Sequence, residues 1–276
     1  MLRIILGGSS LASTRRVRAF QRWPVFAFSL LALMVVSAGV AMADISVYEE
    51  TGNTSFGTLN LNTGVYTNIG VSGLLLSGLG EVNGVVYGGI EEGNELYSVN
   101  TSTGALTGIG SNSVMIYGDT GSTLTGLYAI GRDSNLYSIN VSTGAATKIG
   151  YLGAPIGGVI GMSSNSSTLY YTSNDNLFTI NTSTGAETLV GSTGYPIGAM
   201  VTENGALYAG VESPLSVQTL DTTTAVPTFV STESGAPGDF WGLVPTSATP
   251  EPEYWVVLGM GLATVILLRR RAKATA

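Results

Sequence analysis

The chain contains no cysteine and no histidine, and only 11% of its 276 residues are charged. Without cysteine there are no disulfides, iron–sulfur clusters or thiol nucleophiles. Without histidine the commonest general base and metal ligand is missing, and a Ser-His-Asp triad is excluded. Most enzyme classes start at a disadvantage. Basic residues are scarce except at the ends, where Arg3, Arg15, Arg16, Arg18, Arg22, Arg269, Arg270, Arg271 and Lys273 account for nine of the 11. Between Asp44 and Pro250 stand Arg132 and Lys148 alone against 16 acidic residues, which leaves that stretch at −14. Such a body cannot neutralise phosphates, so nucleic acid is not an expected partner, and anionic lipid headgroups repel it. Glycine is abundant: there are 38, about twice the usual share of roughly 7%.

The N-terminal end reads as an export signal over residues 1–43. A basic stretch from Arg15 to Arg22 precedes the apolar run Val25 to Val40. Ala41 and Ala43 supply the small residues of a cleavage site, with Asp44 opening the mature chain. An uncleaved anchor is the alternative. Ser13-Thr14-Arg15-Arg16 hints at a twin-arginine signal, but Arg18 stands where such signals prefer an apolar residue. The general secretory route is expected.

At the other end a short stiff linker, 247–253, leads to an apolar stretch, 254–268, and a basic tail, 269–276. Fifteen apolar residues fall short of the roughly 20 that usually cross a bilayer as a helix. With Trp255 at one interface and the arginines at the other, the stretch suits a thin membrane as a transmembrane helix. Both basic ends then stay cytoplasmic and the body faces outward.

Pro250-Glu251-Pro252, a short apolar helix and the cluster Arg269-Arg270-Arg271 stand in that order. This resembles the PEP-CTERM sorting signal of exopolysaccharide-producing Gram-negative bacteria, over about the last 28 residues. The resemblance implies that an exosortase-like membrane protease recognises Pro250, Glu251 and Pro252, and that Arg269, Arg270 and Arg271 act as the stop signal. A plain single-pass anchor is the alternative.

The middle is a repeat array. Leu96 to Gly104 (LYSVNTSTG) recurs as Leu136 to Gly144 (LYSINVSTG) and as Leu177 to Gly185 (LFTINTSTG). Worn copies run from Phe56 to Gly64 and from Val217 to Ala225. Gly64, Gly104, Gly144, Gly185 and Ala225 are 40, 40, 41 and 40 residues apart. Four residues before each stand Asn60, Asn100, Asn140, Asn181 and Asp221, and Tyr48, Tyr87, Tyr128, Tyr170 and Tyr208 form a second column. Asn or Asp followed by Thr-Gly suits a tight hairpin, where glycine accepts a positive φ. Each unit reads as four short strands; in the third these are Leu127–Ile130, Leu136–Asn140, Ala145–Ile149 and Ile156–Met162. Apolar residues on both strand faces, as at Leu136 and Tyr137, suit sheets covered on both sides.

Four strands per unit of about 40 residues is the pattern of propeller blades. The first unit lacks a preceding strand, and Phe240 to Val244 is an orphan that supplies one. An all-β, five-bladed β-propeller over 44–246, latched by its last strand, is therefore expected. An open solenoid and a sandwich are the alternatives. The repeats also resemble those of exported propellers with a Leu-Tyr-x-Ile-Asn-x-x-Thr-Gly motif; quinoprotein tryptophans are absent, so that resemblance implies no quinone cofactor.

Glu81, Asp119, Glu203 and Asp239 are the acids nearest the expected inner strands. A calcium-dependent propeller lactonase or lyase would use such groups without histidine. They occupy no common repeat column, and solvated turns are the favoured reading. The turns at 91–95, 132–135 and 174–176 are acid-rich but lack the order of a calcium loop. No catalytic, cofactor or metal site is assigned; weak calcium binding at these turns stays an alternative. Asn100, Asn140 and Asn181 lie in Asn-x-Ser sequons that the turn itself accounts for. Tyrosines and Trp241 are groups that stack on sugars, although inter-blade packing better explains the Tyr column. The threonine rows suit ice binding poorly, because propeller turns splay radially. The expectation is a non-enzymatic exported protein of the cell envelope, surface or extracellular matrix, binding exopolysaccharide or other surface proteins. A purely structural biofilm component is the third reading.

Overall fold

The computed structural model describes residues 44–246 apart from 92, 112, 113, 115 and 159. The expected signal peptide 1–43, linker 247–253, helix 254–268 and tail 269–276 lie outside those residues, as do Ala41, Ala43, Pro250, Glu251, Pro252, Arg269, Arg270 and Arg271. Asp44 is described and exposed. No helix occurs among the described residues.

Five blades follow one another along the chain. The first contains β1 (Ser46–Thr51), β2 (Ser55–Asn60) and β3 (Tyr66–Val71). The second is β4 (Leu76–Val82), β5 (Val85–Ile90), β6 (Glu95–Val99) and β7 (Leu106–Ser111). The third is β8 (Ile116–Thr123), β9 (Gly126–Gly131), β10 (Asn135–Ile139) and β11 (Ala146–Tyr151). The fourth is the three-stranded β13 (Leu169–Ser173), β14 (Asn176–Ile180) and β15 (Glu187–Ser192), preceded in the chain by the two-residue β12 (Ser163–Ser164). The fifth is β16 (Ile197–Glu203), β17 (Ala206–Glu212), β18 (Leu215–Leu220) and β19 (Pro227–Thr232). The last strand, β20 (Phe240–Pro245), returns to pair antiparallel with β1, with Tyr48 opposite Val244. It is the inner strand that the first blade lacks, and it closes the ring and covers an edge.

The repeat motif builds the turn between third and fourth strands. The N–H of Gly64, Gly104, Gly144, Gly185 and Ala225 donates to the carbonyl four residues earlier, each at 2.8 Å. The Asn side chain adds the second tie: Asn140 Oδ1 accepts from the N–H of Ser142 at 2.9 Å and of Thr143 at 3.2 Å. In the fifth blade, bonds from Thr223 and Thr224 hold the Asp221 carboxyl down at about 2. The closing residue has φ of +72 to +80° in the four glycine copies and +63° at Ala225. Replacing Asn140 with alanine removes both side-chain bonds and is expected to cost about 1 kcal/mol. A urea midpoint unchanged from wild type would show that glycine alone sets the turn.

The core lies between blades. Each seam has one apolar cluster, as where Val82, Tyr87 and Leu96 of the second blade meet Leu127, Ala129 and Tyr137 of the third. The Tyr column packs there: Tyr48, Tyr87, Tyr128, Tyr170 and Tyr208 each belong to the cluster on the far side of their own blade. Leu136 and Tyr137 are both buried, on opposite faces of β10. A sheet wedged between two others has no wet face.

Every outer strand carries one bulge at the same place, which puts Ile69, Ile109, Ile149, Val190 and Val230 out of register. All five pack onto seam clusters. A bulge also twists the exposed edge away from further pairing. The next residue is Gly70, Gly110, Gly150 or Gly191, and a Cβ there would overlap the turn carbonyl of Thr103, Thr143, Thr184 or Thr224 in the following blade. At the closing seam the position is Ser231, whose hydroxyl donates to Leu61 O at 2.7 Å.

The fourth blade departs from expectation. The described residues of Ile156–Met162 form no strand; the inner strand shrinks to β12, which pairs parallel with β16 of the fifth blade. Gly153, Pro155, Gly157, Gly158 and Gly161 stand in or near this stretch, and such residues supply weak strand propensity. Side chains replace the missing ladder. Ser134 Oγ accepts from Ile156 N at 3.1 Å, Ser173 Oγ from Gly157 N at 3.1 Å, and Thr172 Oγ1 from Gly161 N at 3.1 Å.

Candidate functional site

Strand alternation gives the ring two faces. On one lie the connectors from each outer strand to the next inner strand, with the hairpins between second and third strands. The other carries the Asn-x-x-Thr-Gly turns and the hairpins between first and second strands.

The four acids singled out in the sequence are not brought together. Glu81 caps its own hairpin, accepting from Gly84 N at 2.5 Å. Glu203 ends β16 on the same face, and burial raises its carboxyl. Asp239 lies on the connector face and is exposed. Asp119 is not a solvated turn residue. It is 2% exposed and binds backbone, accepting from Thr120 N at 2.6 Å and from Met162 N at 2.5 Å. Burial raises its carboxyl well above the ordinary range, against the pull of those two bonds. Among the described residues no three Asp or Glu side chains form a metal-holding group.

The inner strands approach one another backbone to backbone. A Cβ at Gly242 would meet Leu79 N, one at Gly121 would meet Ser163 O, and one at Gly161 would meet Gly198. This close approach fills space that a wider ring would give to side chains.

Of the acid-rich turns, 132–135 is tied internally. Asp133 Oδ2 accepts from Tyr137 Oη at 2.8 Å and lies 4.0 Å from Lys148 Nζ. Burial opposes ionisation of Asp133, but bonds from Tyr137 and Asn135 hold its carboxyl low. A depression of about 260 Å³ on the second blade is lined by Glu95, Tyr97 and Gly108 among others. Its one carboxylate, Glu95, accepts from Tyr97 Oη at 3.0 Å.

The connector face offers more. Tyr151, at the end of β11, is 49% exposed, and Tyr195, just before β16, is 39% exposed. Val71, Leu74 and Leu75 are exposed on the same face. Trp241 is half-buried beside Gly52, whose N–H donates to Asp239 O at 3.0 Å. Glu212 N donates to Pro196 O at 3.1 Å, and its carboxyl lies over Gly198, where a Cβ would meet Oε1. Burial and the charge of Asp239 push Glu212 up to about 7. Trp241, Glu212 and Asp239 thus stand on the connector face where the fifth blade meets the first, with Tyr195 at the entry to the fifth and Tyr151 at the end of the third.

Sequence reasoning missed Glu49, Glu50 and Glu233. Glu49 and Glu50 are fully buried on β1 and Glu233 is 8% exposed. A signal was present: Glu49-Glu50 interrupts a strand otherwise covered on both sides. Glu50 Oε1 accepts from Ser72 Oγ at 2.5 Å, yet burial still pushes its carboxyl up to about 8.

No family model matches the chain. No curated protein matches it either. Among solved structures, a chain of the crystal structure of a nidogen/laminin complex aligns with TM-score 0.51 at 10% identity, over 73% of this chain and 98% of that one. A calcium-binding protein, regucalcin, from Agrobacterium tumefaciens strain C58 aligns with TM-score 0.44 at 17% identity, over 70% of this chain and 72% of that one. At such identities the nidogen/laminin likeness speaks for the fold alone. The described residues form an all-β, five-bladed β-propeller of repeated units, closed by its own last strand.

Proposed function

We propose that this is an exported, PEP-CTERM-sorted protein of the cell surface or extracellular matrix, whose propeller is a non-enzymatic binding module for exopolysaccharide. One observation carries the binding part: exposed Tyr151 and Tyr195 share the connector face with Trp241 and the carboxyls of Glu212 and Asp239. Aromatic faces stack on sugar rings, and carboxylates accept from hydroxyls. The tail motif carries the sorting part, with an exosortase-like protease as its partner. A body at −14 repels uronate-rich polymers. The ligand class is therefore a neutral or amine-bearing polysaccharide.

The test is a thermal melt of the full-length protein against neutral, amine-bearing and uronate-rich polysaccharides. A ligand that binds only the folded ring raises the melting temperature by mass action. Tyr151→Ala/Tyr195→Ala is expected to weaken binding about tenfold, and to leave unliganded stability within about 0.5 kcal/mol. No shift with any polymer, or a shift the double variant retains in full, would remove this reading.

A further inference from the structure

The seam between the fifth and first blades is where the ring closes, and two carboxyls meet inside it. Glu49 projects from β1 on the same face as Val47, which belongs to this seam's core. Glu233 comes from the connector that follows β19 and is fixed by its N–H donating to Leu215 O at 3.3 Å. The two side chains stand within hydrogen-bonding reach of each other. Yet all four of their oxygens are buried and find no donor elsewhere in the protein. Two carboxylates are both acceptors, so this contact bonds only when one of them carries a proton.

Nothing nearby supplies positive charge. The groups that face the pair are Glu50 on β1, Tyr66 on β3, and Asp239 on the same connector as Glu233. Glu212 on β17 lies beyond, against Asp239. All are acids or phenol. The two basic side chains of the described residues, Arg132 and Lys148, both stand in the third blade. Among the described residues no third carboxylate joins the pair in a metal-holding group, and all four oxygens are closed to solvent. A proton fits this site where a hydrated cation does not.

We propose that Glu49 keeps its proton and donates it to Glu233 across the closing seam, so that the latch of the ring is itself a proton-binding site. The electrostatics agree in direction. Burial first, then the neighbouring Glu233, raises Glu49 well above the ordinary 4.5. Burial with the charge of Asp239 holds Glu233 at about 7, even though accepting from Glu49 lowers it. In the unfolded chain both ionise near 4.5. The pair's contribution to stability is therefore fully present below that pH and is lost as pH rises through about 7 and beyond. Alkaline conditions place two charges in the seam and loosen the joint between β20 and the rest of the ring.

Glu49→Gln is the diagnostic variant, because its amide donates to Glu233 at every pH. In thermal melts of the full-length protein, wild type is expected to lose about 5 °C between pH 5 and pH 8, and Glu49→Gln to recover the pair's part of that loss. The remainder belongs to Glu50 and Glu212, which are raised into the same range. Equal pH dependence in the two proteins would overturn the proposal. So would a calcium-induced rise in wild-type melting temperature that Glu49→Gln abolishes, since the pair would then hold a cation. A carbon-13 titration of glutamate carboxyls reads the proton directly in the wild type. Glu50 is protonated at pH 7 as well, so Glu49→Gln should show one protonated signal fewer than the wild type; equal numbers in the two spectra equally overturn the assignment.

Discussion

Phe240→Ala is expected to destabilise the propeller by about 3–5 kcal/mol, the range for a buried phenylalanine truncated in a tight core. Phe240 opens β20 and is 1% exposed, in the apolar cluster of the closing seam with Val47, Leu59 and Val217. Its ring fills room left by glycine: a Cβ at Gly210 would overlap Phe240 Cγ. Alanine would leave a cavity, and the facing backbone of β17, held in register to β16 and β18, cannot collapse into it. The same side chain also seats the strand that closes the ring. A fall in melting temperature of roughly 10 °C follows from that loss. Phe229, 62% exposed on the outer strand of the fifth blade, is the control, and its alanine variant should stay within about 0.5 kcal/mol of wild type. If Phe240→Ala costs under about 1 kcal/mol, the latch is not what holds the ring shut.

Asp119→Ala is expected to cost about 3 kcal/mol, because it strips the acceptor from two buried backbone donors at about 1–3 kcal/mol each. One is its neighbour Thr120 N; the other, Met162 N, belongs to the fourth blade, whose inner strand lacks an ordinary ladder. The carboxylate also occupies the place of a side chain at Gly78, in the second blade. Three blades thus meet on one acid. Asp119→Asn should fall between wild type and alanine, since its oxygen accepts one bond while its NH₂ faces a donor. Hydrogen exchange separates this from a general loss: the Met162 amide should lose protection before those of β5 or β17. Unchanged exchange at Met162 would leave Asp119 as a packing residue only.

The blades were legible because their signal is local. A turn that needs Asn at its start and a positive φ at its end writes the same letters every 40 residues or so. The orphan strand was legible by arithmetic, since one unit lacked a strand and one strand lacked a unit. The inner strand of the fourth blade was misread because Ile156 to Met162 has a strand's apolar pattern, while the glycines and Pro155 around it withhold the ladder. The column Gly70, Gly110, Gly150 and Gly191 was also written in the chain. Its meaning is a contact with the next blade, and spacing alone does not reveal that.

The acids divide the same way. Asp119 and Asp239 look alike in sequence, each beside glycine or threonine, yet one is buried and the other exposed. Glu49 and Glu233 are 184 residues apart and share no motif. The sequence by itself determined the number of blades, their turns, the shortage of cations and the latch, because each rests on nearby residues or on composition. Only the tertiary structure decided which carboxyls are buried and which of them meet. Burial and pairing across a seam depend on how one blade leans on the next, and in a closed ring the first and last blades become neighbours.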